Sequence, residues 1–224
     1  MRKKLLRSLT ALTFIAAAFS ITAWSLSLLH QRRINPQSSD AEKSKRKTLR
    51  EIARERDVEI VGHVESEAEY DDMRSLAKAA NAIVVGRITA AESSFDGDDN
   101  ITTTHQVNVQ RVLRDATSEV PLLPGWTSPT PLTPTFKLIR HGGVVEVNGH
   151  KASARADGQE SLVVGKDYIL FLWWSPNSNA YYLAGGNSGA ILIDSDRRVK
   201  PLGRTAKAKY RDFNIEAFIS EVLK

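Results

Sequence analysis

The chain has 224 residues, room for one domain with extra segments, and its 42% apolar and 25% charged content is that of a globular protein. It has no cysteine, which excludes disulfides, thiolate catalysis, cysteine-based zinc sites and a lipid-modified cysteine. The net charge of +5 is local: residues 1–29 hold four cations and no acid, whereas residues 71–224 hold 18 Lys and Arg against 17 Asp and Glu, so no nucleic-acid partner is expected.

Arg2, Lys3, Lys4 and Arg7 form a basic head, and Ser8 to Leu29 follows without a charge. A helix of that length covers roughly 33 Å against about 30 Å of hydrocarbon. Residues 1–30 therefore read as a transmembrane anchor, with the membrane crossed through residues 8–29, or as a signal peptide cut after the small residues at Ala16–Ala18 or Ala23. The head cations favour a domain outside the cell membrane, single-pass and extracytoplasmic, or secreted after cleavage. The far flank, with Arg32, Arg33, Lys43 and Lys45–Lys47, leaves the opposite orientation open. Residues 31–66 read as a polar, charged stalk; Leu49, Ile52 and Ala53 give it a thin apolar stripe.

From residue 67 to residue 224 the pattern is that of a folded domain. Glu67–Ala80 predicts a helix, with Ser66 and Glu69 as a capping box. Asn81–Ala90 predicts a strand rich in β-branched residues. Asp96–Asn100 is a turn, and Ile101–Leu113 a second strand with an irregularity near Gln110. Phe136–Arg140 is a third strand ending at His141-Gly142-Gly143, and Val144–Val147 runs into Asn148-Gly149, a strong hairpin signal. Tyr168–Trp174 is the most apolar segment and reads as a central strand; Ala180–Ala184 and Ala190–Ile193 follow. Ile215–Leu223 closes as an amphipathic helix capped by Asp212 or Asn214. The sum predicts a mainly β, α+β fold: a small antiparallel OB-like barrel with a helix at each end.

Ala80–Ile88, Val107–Leu113 and Gly165–Leu172 resemble, in order, strands of netrin-type modules and tissue inhibitors of metalloproteinases. Tyr182–Ile193 resembles the closing stretch of uncharacterised bacterial exported proteins. The resemblance implies an OB-like barrel over residues 66–194 and carries no activity across. The inhibitors reach zinc through an N-terminal cysteine, which this chain lacks.

Candidate chemistry is sparse. Gly185–Gly189 holds Ser188 in a setting like that of a nucleophilic serine, but its flanking glycines suit a turn better. Asp96–Asn100 is acidic enough for calcium but lacks the EF-hand spacing. His63, His105, His141 and His150 are scattered, without metal-ligand spacing. Trp173 and Trp174 adjoin on one strand and point to opposite faces. Asp115–Thr135 carries five prolines around Trp126 and reads as an insert fit for partner contact. The candidate contact residues are Leu122, Leu123, Pro124, Trp126 and Pro129, with Trp174 beside them. The expectation is an extracytoplasmic, non-enzymatic binding module of a bacterial envelope, with no cofactor or metal and an unidentified protein or envelope polymer as partner. A secreted protease inhibitor and a small serine hydrolase using Ser188 are the alternatives.

Overall fold

Helix α1 (Leu49–Ala53) forms because Thr48 and Glu51 make a reciprocal capping box: Thr48 Oγ1 accepts from the Glu51 N–H at 3.2 Å, and Glu51 Oε2 from the Thr48 N–H at 2.9 Å. Its apolar stripe is used, with Leu49 and Ala53 buried. The computed structural model describes residues 47–62, 70, 72–117, 132–156, 160–203 and 209–224. Thr48–Lys224 makes up one unit. Helix α2 (Met73–Ala79) is capped by Asp72, whose carboxylate accepts from the Ser75 N–H at 2.7 Å; the expected Ser66–Glu69 cap lies outside the described residues. Helix α3 (Ile215–Val222) takes Asn214 as its cap.

The strands are β1 (Val58–Gly62), β2 (Ala82–Asp96), β3 (Asn100–Asp115), β4 (Thr135–His141), β5 (Gly143–Val147), β6 (His150–Ala156), β7 (Asp167–Ser175), β8 (Ala180–Leu183), β9 (Ala190–Ile193) and β10 (Val199–Pro201). Seven make a large sheet in the order β10-β9-β7-β2-β3-β4-β8, and three make a small sheet in the order β1-β6-β5. The β5–β6 hairpin turns at Asn148 and Gly149, both at positive φ (53° and 83°), as a tight Asn-Gly turn requires. The irregularity expected near Gln110 is a register shift in β2–β3: Gly86 faces Val109 and Val85 faces Arg111, leaving Gln110 unpaired.

Both faces of the large sheet are covered at its β2–β7 centre. Ile83, Val85, Ile169, Phe171 and Ile191 pack with Leu76 of α2 and Phe218 of α3. Alternate residues Val84, Ile88, Leu170, Leu172 and Trp174 pack with Leu138 and Tyr181 on the other face. Burial on two faces explains the nearly unbroken apolar run of β7. Two of the stretches quoted for that resemblance meet here: Arg87 of β2 makes a two-pronged ion pair with Asp167 of β7, at 2.7 and 2.8 Å.

The OB-like barrel does not form. The fold is mixed α+β, with three helices and ten strands among the described residues, and neither of its two sheets closes into a barrel. β7 pairs with β8 over four residues, but β4 meets β8 at the single pair Leu138–Tyr181, too short for a ladder. β9 and β10 extend the sheet beyond β7, and β5 and β6 leave it to pair with β1. The resemblance to netrin-type modules therefore fails at the level of architecture.

The membrane expectations are also corrected. Among the described residues no helix is long and apolar enough to cross a membrane, and the expected span at residues 8–29 lies outside them. The single-pass location, the secreted form and the membrane as a partner are thus without structural support. Residues 48–62, read from the sequence as stalk, supply α1 and β1; β1 runs parallel to β6 from Val58–Ala152 to Gly62–Ala156.

Candidate functional site

Along β4, Phe136, Leu138 and Arg140 are buried while alternate residues are more open. Strand geometry thus sends an arginine inward where the previous two inward positions are apolar. Arg140 is 7% exposed. Its guanidinium donates to the Glu160 carbonyl at 3.0 Å and to Asn187 Oδ1 at 2.6 Å, so it is fixed from two sides.

The neighbouring strand β3 carries the same inward row through Ile101, Thr103, His105 and Val107. Its register sets Arg140 opposite Thr103 and Leu138 opposite His105. His105 is 4% exposed, and its Nδ1 is buried without a hydrogen-bond partner. Burial, helped by the adjacent Arg140 charge, lowers its pKa to about 4, so the imidazole is neutral at pH 7.

Beyond Arg140 the chain passes from the large sheet to the small one. Gly142 and Gly143 make the passage at φ +91° and +141°. Thr103 Oγ1 donates to the Gly142 carbonyl at 2.6 Å and lies 2.9 Å from Ser93 Oγ. A Cβ on Gly143 would sit 2.3 Å from Thr103 Oγ1 and 2.4 Å from Ser93 Oγ, so only glycine permits this approach.

A cleft of about 570 Å³ lies at this joint, within the range of small-molecule sites. Ser93, Thr103, His105 and Arg140 line it from the large sheet, and Ser153 and Arg155 from the small sheet. Arg155 also pairs with Glu59 of β1 at 3.0 Å. The arrangement offers hydroxyls, a fixed guanidinium and an unsatisfied imidazole nitrogen, a donor and acceptor set for a polar ligand.

His141, on the face of β4 opposite to Arg140, begins a row of aromatic rings. Its centroid lies 6.2 Å from that of Tyr182, which lies 6.2 Å from that of Trp173. Trp173 faces Tyr182 directly across β7–β8 and is 47% exposed.

The residues singled out from sequence fall elsewhere. Leu122, Leu123, Pro124, Trp126 and Pro129 lie outside the described residues. Trp174 is 2% exposed, edge-on to Tyr181 at 5.0 Å, so its ring is closed to a partner; Trp173 is the open one of the pair. Ser188 sits in a 3-10 turn over Gly186–Gly189, half-buried against Gly203, and among the described residues no histidine hydrogen-bonds its hydroxyl. The Asp96–Asn100 turn holds α1: Asp99 Oδ1 accepts from the Leu49 N–H at 2.8 Å, and the Asp98 carbonyl from the Arg50 N–H at 3.0 Å. Among the described residues no group of three or more His, Cys, Asp or Glu is placed to hold a metal.

Sequence reasoning missed Arg140, and weighed His105 only as one of four scattered histidines without metal-ligand spacing. The signal was present in the parity of β4, since a period of two from Phe136 and Leu138 puts Arg140 inside. No family model matches the chain, and a search of the curated proteins found no match.

Proposed function

We propose that the chain is a non-enzymatic binding module whose ligand site is the cleft between the two sheets. The observation that supports this most is the placement of a buried guanidinium, Arg140, beside a buried imidazole nitrogen without a partner, both lining an accessible cleft. A buried polar atom left unsatisfied costs about 1–3 kcal/mol, a cost that a ligand hydrogen bond removes.

The test is ligand-observed NMR on the full chain with a set of small polar molecules, repeated with Ser153→Trp to fill the cleft from β6. Binding to the parent protein that disappears in the folded variant is the expected result. No binding at millimolar ligand, or equal binding to both proteins, overturns the reading. Covalent labelling of Ser188 by a fluorophosphonate would return the hydrolase alternative.

A further inference from the structure

We propose that the outer edge of β1 is a self-association surface, on which a second copy of this chain pairs its own β1 antiparallel, with Ile60 on the two-fold axis. The pairing joins two three-stranded sheets into one. It does not depend on the cleft being a ligand site.

The edge is open. β1 is the outer strand of the order β1-β6-β5, and among the described residues β6 is the one strand that pairs with it. No backbone hydrogen bond among those residues reaches Val58–Gly62 from the other side. In a strand with one neighbour, alternate residues turn their N–H and C=O groups away from it, so these groups of β1 face outward. Ile60 is 41% and Val61 53% exposed although they point to opposite faces of the sheet, as side chains at a bare edge are.

The edge is also undefended. Sheet edges are ordinarily blunted by lysine, proline, a bulge or shortness. The large sheet follows that rule at its β10 end, where the strand has three residues and carries both Lys200 and Pro201. β5, at the far side of the small sheet, lies against β2 and β3. β1 is Val58-Glu59-Ile60-Val61-Gly62, with neither lysine nor proline, and it pairs with β6 through all five residues without a bulge. Its single charge, Glu59, is paired with Arg155 at 3.0 Å. The edge is therefore an unbroken, mainly apolar template.

Self-complementarity favours a second copy as the occupant. Antiparallel pairing about Ile60 uses the whole strand: Val58 meets Gly62, Glu59 meets Val61, and Ile60 meets Ile60 of the second copy. Extended onto β6 by its register with β1, one face then reads Ser153, Glu59, Val61, Arg155 across the junction, and the other Ala154, Ile60, Ile60, Ala154. No like charges stand opposite each other, and Glu59 of one copy lies on the side of Arg155 of the other. Sliding the register until Glu59 meets Glu59 would set two carboxylates face to face. The residues leading into the edge, Arg54-Glu55-Arg56-Asp57, balance cations with anions, so two copies approach without net repulsion. The two-fold axis closes the pairing at two copies and leaves neither β1 edge exposed.

The experiment is sedimentation of the full chain over a range of concentrations, with variants that read the register. Mass should rise from monomer to a weak dimer, because a five-residue strand pair buries less than a standard interface of about 1,600 Å². Val61→Glu sets like charges opposite each other at both Glu59 positions and should weaken the dimer about tenfold. Val61→Lys, equally polar, sets opposite charges there and should weaken it no more than about twofold. Val61 is more than half exposed, so both variants should keep the circular dichroism of the parent. The chain has no cysteine, so Ile60→Cys gives one thiol, placed on the axis. Cβ atoms opposite each other across an antiparallel pair are about 5 Å apart, so diamide should link two copies through it, and at least about fivefold faster than through Glu59→Cys or Val61→Cys. A monomer at every concentration, equal losses with Val61→Glu and Val61→Lys, or equal crosslinking from the three thiols overturns the proposal. A dimer indifferent to Val61→Glu overturns it as well, since association then runs through another surface.

Discussion

The β2–β3 hairpin has two halves that are built differently. In the near half, Ala82–Val85 and Ile88 are buried, and helices cover one face of the sheet. In the far half, Ala90–Asp96 is largely open and polar, and Ser93 and Thr103 hydrogen-bond each other under the small sheet. One hairpin thus supplies a conventional core at one end and a polar cleft at the other. The near half accounts for stability; the far half gives up apolar burial to place His105 and the hydroxyls.

The largest effect that sharpens this contrast belongs in the near half. Phe171→Ala, at 1% exposure in the core below the helices, should cost about 4 kcal/mol in denaturant unfolding while leaving the cleft's ligand affinity unchanged. An equal loss of affinity would show that the two halves are not separable.

The next effect lies in the far half and depends on pH. The folded pKa of His105, about 4, lies below its ordinary value of 6.5, so the unfolded chain binds the proton first. Stability is therefore full above about pH 6.5, falls by about 3 kcal/mol as pH drops toward 4, and stays level below that for this group. His105→Leu should flatten this slope in urea titrations at several pH values. An unchanged slope would assign the acid sensitivity to other groups.

Gly143→Ala tests the joint itself. Its φ of +141° and the 2.3 Å approach to Thr103 Oγ1 predict a loss of about 2 kcal/mol, with amide shifts confined to β5, β6 and the far ends of β2 and β3. Shifts spread evenly through α2 and α3 would contradict the division.

The smallest effect is Asp167→Asn. Arg87 holds the Asp167 carboxyl below the usual carboxylate range, so the pair contributes above that range and fades as pH falls through the lowered value. The pair is largely exposed, so the loss should be slighter than any above and erased by added salt, as read from unfolding midpoints at low and high ionic strength.

Local signals were legible because local chemistry decides them. The Asn148-Gly149 turn, the bulge at Gln110 and the Asn214 cap each depend on a few neighbouring residues. The division into two sheets was not legible, because it depends on pairing between distant segments. β1 joins β6 across more than 90 residues, and nothing in VEIVG names that partner. The polar stretch before it reads as stalk because Leu49, Ile52 and Ala53 make only a thin stripe; Leu49 and Ala53 are buried against Ile101 and Ala152, which lie far along the chain. The cleft was half legible: strand parity points Arg140 inward, but no periodicity reveals that Asn187 and Glu160 would hold it there.

The passage at Gly142–Gly143 places the floor of the cleft in one sheet and much of its wall in another. The wall sheet has only three strands and a small apolar cluster of its own, so it is the part that opens at least cost. A molecule bridging Arg140 and Ser153 would act as a clasp across that division. Occupancy would then be readable far from the contact, as slowed hydrogen exchange along β5 and β6 while the amides of β7 keep the rate they had.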